Sequence, residues 1–376
     1  MRRFSRWLLV LAMLSLTVSA AASDHADPIR LSHNEAGITD LYAFSSPDGQ
    51  SLVLALCAGR GLTDERQLPL RPIEYHLRVD CTRRVEVNDS KTRDRYGGRV
   101  VHPDRIQEDV QLTFRLNNDG SLNQRVCEPE SFASELSEPF CGFRDDPFIF
   151  HRFHTTNVVA IVQEIPWDSL PRQSPDASDD VVLVWATSDR FSEQIDHVGR
   201  SLRTMLPRFD FLNQVEPRRH VEILRQRHER PGVVTDLLAT FASPFFGIRH
   251  YDFQPDVLIY DRRRPARYPN GRALEDDVAD LCCQQGDCLL YEVSLAEAEA
   301  DHVRRPTENN VNFLDEFPYL APPNADSIAL ADPSLTARTK CLIAAAVLLL
   351  AGFLLLPWVL LYFARRQIRR LTRSFR

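Results

Sequence analysis

The chain reads as an α+β protein: a β-sandwich-like core of antiparallel sheet with a helical insertion, plus one C-terminal transmembrane helix. Three observations predict this. Short Val- and Ile-rich runs recur through the first half, separated by turn residues. From Phe191 the apolar spacing changes, with breaks at Pro207, Pro217 and Pro231. Residues 341–363 carry no charge and are long enough to cross a hydrocarbon core of about 30 Å.

Taken in order, residues 1–22 read as a signal peptide. Arg2, Arg3 and Arg6 form its positive end, an apolar run follows, and Ala20-Ala21-Ala22 offers small residues for cleavage. Runs 39–44 and 51–57 read as strands around the turn Ser46-Pro47-Asp48-Gly49. Residues 73–80 alternate apolar with polar, as a half-buried strand does. The polar stretch 85–102 reads as a surface loop. Runs 110–116 and 121–126 flank Asn117-Asn118-Asp119-Gly120, a hairpin signal. Strands are expected again at 157–165 and 180–186, joined by a Pro/Ser/Asp linker.

Helices are expected over 191–206, 216–228 and 232–241, then a strand over 256–260. A basic, Pro-broken loop leads to a turn at Asn270-Gly271, because both residues tolerate positive φ. A helix bearing Glu275, Asp276, Asp277 and Asp280 should follow, its acids opposing the positive helix end. The outward domain is thus 23–323, followed by a Pro-, Asp- and Ala-rich linker over 324–340, the span 341–363 and a basic tail over 364–376. Arg365, Arg366, Arg369, Arg370, Arg373 and Arg376 predict a cytoplasmic C-terminus, with the large domain in the periplasm or at the cell surface.

The formal charge of −7 conceals an asymmetry. Setting aside the basic residues of the two termini, 34 bases face 52 acids, a formal −18. Such a surface repels phosphate backbones, which argues against a nucleic-acid partner. Of eight Cys, Cys341 falls in the expected span. An oxidising compartment favours disulfides. Cys57 with Cys81 and Cys127 with Cys141 are expected pairs, and Cys282, Cys283 and Cys288 supply one more pair and one thiol. The CCxxxxC spacing is not that of a zinc site.

The candidate site residues are mostly acids. Asp276 and Asp280 would lie one helical turn apart with Asp277 beside them, and Asp145-Asp146 forms a second pair. The functional reading is a divalent-cation site built from these carboxylates. The structural reading is a solvated helix start, with Asp276 in reach of Arg272, and a turn in which one Asp accepts backbone N–H groups. His151 and His154 would face opposite sides of a strand, which disfavours a shared ion. Cleavage after Ala22 would expose Ser23-Asp24-His25, whose amine, amides and His25 ring can wrap Cu(II) or Ni(II) in four nitrogens. No HExxH, P-loop or GxGxxG is present, and Gly199-Arg200-Ser201-Leu202-Arg203 fails the G-x-S-x-G elbow at its last residue.

Several stretches resemble one family. Ser23-Asp24-His25 and Thr39-Asp40-Leu41-Tyr42-Ala43-Phe44-Ser45-Ser46-Pro47-Asp48 are similar to its opening SSH and TDLYAF-x-x-PD. Gly142-Phe143-Arg144-Asp145-Asp146-Pro147-Phe148 resembles its G-x-RDDPFF, and Asp196-His197-Val198-Gly199-Arg200 a following D-x-x-GR. Pro255-Asp256-Val257-Leu258, then Asn270-Gly271-Arg272 with Asp276-Asp277, resemble its PDVL and NGRxLxDDVxD. Phe317-Pro318-Tyr319-Leu320-Ala321-Pro322-Pro323 resembles its closing FPYLAPP. The family is that of secreted bacterial proteins known as domain of unknown function 4331. The resemblance implies a shared fold over most of the outward part and no mechanism. At Ser201-Leu202-Arg203-Thr204 the chain departs from the family, which carries a small or apolar residue and Asn before Thr. The Asp80-Cys81-Thr82-Arg83 turn is poor in oxygen ligands, against a calcium loop.

The expected function is a non-catalytic binding or interaction module, held at the membrane by its C-terminal helix and meeting a protein or small ligand in the periplasm or at the cell surface. The alternative is a metal-dependent enzyme using Asp and His ligands.

Overall fold

In the computed structural model, residues 37–62, 70–171, 180–204, 208–231 and 247–325 are described. All lie within the unit Ala22–Leu330. The strands are β1 (Ile38–Ser45), β2 (Ser51–Leu62), β3 (Ile73–Asp80), β4 (Val85–Glu86), β5 (Arg99–Val100), β6 (Val110–Leu116), β7 (Leu122–Glu128), β8 (Phe140–Asp145), β9 (Asn157–Pro166), β10 (Val181–Arg190), β11 (Glu193–Val198) and β12 (Leu258–Asp261). The helices are α1 (Ser90–Tyr96), α2 (Pro217–Glu229), α3 (Val278–Gln284) and α4 (Leu289–Ala300). The protein is a β-rich α+β fold built mainly of antiparallel sheet.

One sheet has four strands in the order β1-β2-β9-β8. The other runs β11-β10-β3-β6-β7, with β12 also paired to β10. Alternation along each strand sends side chains to opposite faces. Leu52, Leu54 and Leu56 of β2 and Val159 and Ile161 of β9 therefore join Tyr75, Leu77, Leu112, Phe114, Val182 and Val184 of the other sheet in one core. The opposite face of the four-stranded sheet carries Tyr42, Val53, Ala55, Val158, Ala160 and Val162, covered by Leu274, Tyr319 and Leu320. The far face of the six-stranded sheet packs Leu183, Trp185 and Ile259 against Val100 and Ile106. Both faces of the four-stranded sheet are thus covered, which is why β2 and β9 are nearly continuous apolar runs, whereas β3 and β6 alternate and carry Glu74, Arg78, Gln111 and Arg115 on the far face.

The strands expected at 73–80 and 110–116 match β3 and β6, and β6 and β7 meet at Gly120, whose φ is 81°. The helix expected over 191–206 is absent: residues 193–198 form β11, paired antiparallel with β10. The chain reverses at Phe191 and Ser192, both at positive φ, as a two-residue hairpin turn requires. Residues 191, 195, 198 and 202 are apolar at helix-like intervals, but ladder hydrogen bonds to β10 outweigh that local spacing. The polar stretch 85–102 is not all loop, since it contains α1, capped by Asp89.

The acidic helix starts later than expected. α3 begins at Val278 with Asp277 as its N-cap, so Asp276 lies outside it and is not one turn from Asp280. Arg272 is likewise in extended backbone, bridging Ala43 of β1.

Two expected disulfides do not form, since Cys81, Cys127 and Cys141 are free thiols. Cys57 of β2 belongs to the outer-face cluster of the four-stranded sheet, while Cys81, just past β3, lines the core between the sheets; Cys127 of β7 and Cys141 of β8 lie on different sheets. Cys283 is bonded to Cys288, the pair left open among the last three. The signal peptide, His25, the helix over 232–241, most of the 324–340 linker, the span and the tail lie outside the described residues. No helix among the described residues is long and apolar enough to cross a membrane.

Candidate functional site

The predicted carboxylates each have protein partners of their own. Asp145, at the end of β8, is 1 % exposed. Its Oδ2 accepts from Asn309 Nδ2 at 2.7 Å, and its main-chain N–H donates to Ala321 O at 3.3 Å. Burial pushes its pKa up to about 7, against the pull of the Asn309 and Asn324 side chains. Asp146 Oδ1 accepts from Phe148 N at 3.0 Å. Asp276 Oδ2 accepts from Tyr268 N at 2.8 Å and Ala273 N at 2.9 Å, and burial raises its pKa in spite of those bonds. Asp277 caps α3 through Asp280 N and takes Arg305 with both oxygens, at 2.6 and 2.7 Å. Asp280 accepts from Gln284. His151 Nε2 lies 2.8 Å from Asp301. Among the described residues no group of three or more His, Cys, Asp or Glu could hold a metal ion.

These contacts join stretches far apart in sequence. Arg272 is fully buried; its Nη2 donates to Asp40 Oδ1 at 2.8 Å and to Tyr42 Oη at 2.9 Å, and its guanidinium stacks 4.0 Å from the Tyr42 ring. The 39–48 stretch is thereby tied to the 270–272 turn, and the 142–148 stretch to 309–321. A third junction, between 196–200 and 255–258, opens onto a cleft.

That junction follows from the sheet. β11 pairs with Ala186–Arg190 of β10, and β12 takes over the same edge at Val181–Val184. The chain leaving β11 must therefore turn away where β12 arrives. It does so at Gly199, where a Cβ would come within 2.4 Å of Asp256 O, so only glycine fits the approach. Leu202 then takes a φ of 63°.

Asp256 organises the turn. Its Oδ1 accepts from Arg200 N at 2.9 Å, and its carbonyl accepts from His197 Nε2–H at 2.8 Å. Its own N–H donates to His220 Nδ1 at 3.1 Å. His220 sits on the buried stripe of α2, with Pro217, Val221 and Leu224. Its Nε2 faces Val215 O at 2.6 Å. Nδ1 is thus the acceptor and Nε2 the donor, which makes His220 the neutral Nε2–H tautomer. Burial, with His197 5.1 Å away between ring centres, pushes its pKa down to about 3. Burial works to raise Asp256, but His197, Arg200 and the bond from Arg200 N–H outweigh it, so the carboxyl is held below its ordinary range.

The cleft, about 70 Å³, is lined by Arg95, Tyr96, Arg200, Arg203, Arg208, Phe209 and Asp252, among others. Arg200 stacks over Tyr96 at 4.7 Å. Arg203 and Arg208 both stack on Phe209, at 3.8 and 4.6 Å. Arg203 Nη2 donates to Asp252 O at 2.5 Å and Gln254 O at 3.2 Å. Burial, then repulsion from Arg200, lowers its pKa to about 9. Gln285 and Asp287, from the loop closed by the Cys283–Cys288 bond, form one wall. Sequence reading treated 199–203 as a failed nucleophile elbow and as part of a family-like segment, not as an arginine site. The signal it held was a run of Arg at 200, 203 and 208 beside Phe209; Arg95 and Tyr96 gave none, because they come from a stretch read as loop.

No protein-family model, curated protein or solved structure matches the chain.

Proposed function

We propose that this chain is a non-catalytic binding module outside the cytoplasm, a two-sheet sandwich with a helical insertion and a C-terminal membrane anchor, related to the domain-of-unknown-function family that its motifs resemble. Its ligand site in this reading is the arginine cleft at the β11–β12 junction. One observation carries it: the guanidiniums of the cleft are positioned in advance by ring faces and main-chain carbonyls. A ligand would meet groups already in place, so little ordering would oppose binding. The resemblance supports the fold, and residues 1–22 and 341–363 support the location. The test is a thermal-shift screen of the full-length chain in detergent against small polar metabolites, with hits repeated on Arg203→Gln. Hits that raise the parent's midpoint and not the variant's support the proposal. A screen without hits, or hits indifferent to Arg203, overturns it.

A further inference from the structure

We propose that His228 and His250 form a two-histidine site for a divalent transition metal, of which zinc is the type, at the C-terminal end of α2. Neither residue lines the arginine cleft, so the site stands or falls separately from that reading. The spacing of the rings is its first support. Their centres lie 4.7 Å apart, with the planes at 63°. Two imidazoles that share one ion through bonds of about 2.0–2.1 Å, at an angle between a right angle and the tetrahedral one, have their centres roughly 4.5–5.2 Å apart. The pair already holds the separation that ligation needs, and rotation of a ring about its Cβ–Cγ bond sets the aim of its nitrogen.

The nitrogens are the second support. His228 Nδ1 lies 2.8 Å from Ile248 O. A carbonyl only accepts, so Nδ1 carries the hydrogen and the neutral ring keeps its lone pair on Nε2. A ring whose other nitrogen donates to a main-chain carbonyl has the tautomer and the tether that metal-ligating histidines use. Nε2 of His228 and both ring nitrogens of His250 have no hydrogen-bond partner among the described residues. Phe253 packs edge-on against both imidazoles, 5.5 Å from His228 and 5.4 Å from His250, and holds them without using a nitrogen.

Access separates this pair from the other one. His197 and His220 lie 5.1 Å apart, but both are fully buried and His220 has both nitrogens engaged, by Val215 O and Asp256 N. His228 is half-buried and His250 exposed, so an ion can reach them and water can complete its shell. His228 also sits in the last turn of α2, where the negative end of the helix dipole favours a cation. Two protein ligands, with the Arg225 guanidinium 5.9 Å from the Phe253 ring, make this an exchangeable site and not a closed structural one. Imidazole suits zinc, copper and nickel alike. Zinc is the probe, because the square-planar arrangement expected around His25 takes Cu(II) or Ni(II).

The test is calorimetric titration of the full-length chain, in detergent and free of any polyhistidine tag, with zinc chloride at neutral pH beside a magnesium chloride arm. A saturable zinc signal is expected, and none for magnesium. Affinity should fall by at least about tenfold in His250→Gln and in His228→Gln, since loss of even an outer partner of a metal ligand costs about that factor. His250 is exposed, so its variant keeps the test decisive if His228→Gln fails to fold. Three results overturn the proposal: no saturation with zinc, zinc affinity unchanged in His250→Gln, or magnesium binding as well as zinc.

Discussion

At the scale of single residues, two buried groups pull stability in opposite directions with pH. Asp145 has a folded pKa raised to about 7, above its unfolded value of about 3.9. Its contribution is fully present below about pH 4 and is lost as pH rises toward 7. His220 has a folded pKa lowered to about 3, below its unfolded value of about 6.5. Its contribution is present above about pH 6.5 and is lost as pH falls toward 3. The two overlap between about pH 4 and 6.5 and partly cancel there. Asp145→Asn keeps the shape and removes the titration. Chemical denaturation of that variant across pH 4–8 should therefore show a monotonic loss of stability on acidification, on the order of a few kcal/mol in total. A variant profile that superimposes on the parent's would refute the assignment. Asp277 is different in kind, because Arg305, 6 % exposed, depends on it. Asp277→Ala removes a helix cap and strands a buried charge, and should cost roughly 1–3 kcal/mol. An unchanged melting midpoint would show that neither contact contributes.

At the scale of elements, the junction of β11 and β12 has no slack. The atoms that a Cβ on Gly199 would meet are main-chain atoms of Asp256 and Val257, at 2.4 to 2.7 Å, just before β12, and Asp256 is held there by His197, Arg200 N–H and His220. Gly199→Ala should destabilise the fold by roughly 1–3 kcal/mol, as overpacking does, and should displace Arg200 with it. The check is a denaturation midpoint together with the ligand response of the cleft; a variant that keeps both argues that the turn is softer than its geometry. The hairpin turn at Phe191-Ser192 offers the converse case. Both residues hold positive φ, so replacing them by Asn-Gly should stabilise by roughly 0.5–1 kcal/mol. A lower midpoint would mean that the 82 % exposed Phe191 ring contributes through contacts of its own.

At the scale of the whole molecule, acids dominate residues 23–337 and arginines dominate residues 365–376. The proposed topology places residue 376 in the cytoplasm. A reporter fused after Arg376 should be active only in its cytoplasmic form, and a periplasm-specific signal would reverse the orientation.

What the sequence by itself determined is local: where chain must bend and which runs bury both faces. Gly120, Gly49 and Gly271 were readable as turns because their backbone angles are nearly closed to other residues. β3 and β6 were readable because a strand's alternation and its apolar content agree. β8 and β11 were missed for the opposite reason. They are short, and β11 gains its structure from β10 rather than from its own spacing. The same limit hid the cleft. Asp145, Asp146, Asp276 and Asp277 stood out because they are adjacent in sequence, and the tertiary structure engages each with Asn309, Phe148, Tyr268 or Arg305. Arg95, Arg200 and Arg208 are spread over more than a hundred positions, and only the meeting of two strands on one edge of β10 brings them together. Disulfides followed the same rule: Cys283 and Cys288 lie close enough in sequence to bond locally, while Cys57 and Cys81 fall in different core layers, the outer face of one sheet and the space between the two. Local sterics act through neighbouring residues and are written in order along the chain; sheet pairing acts through space and is decided by which edges find partners.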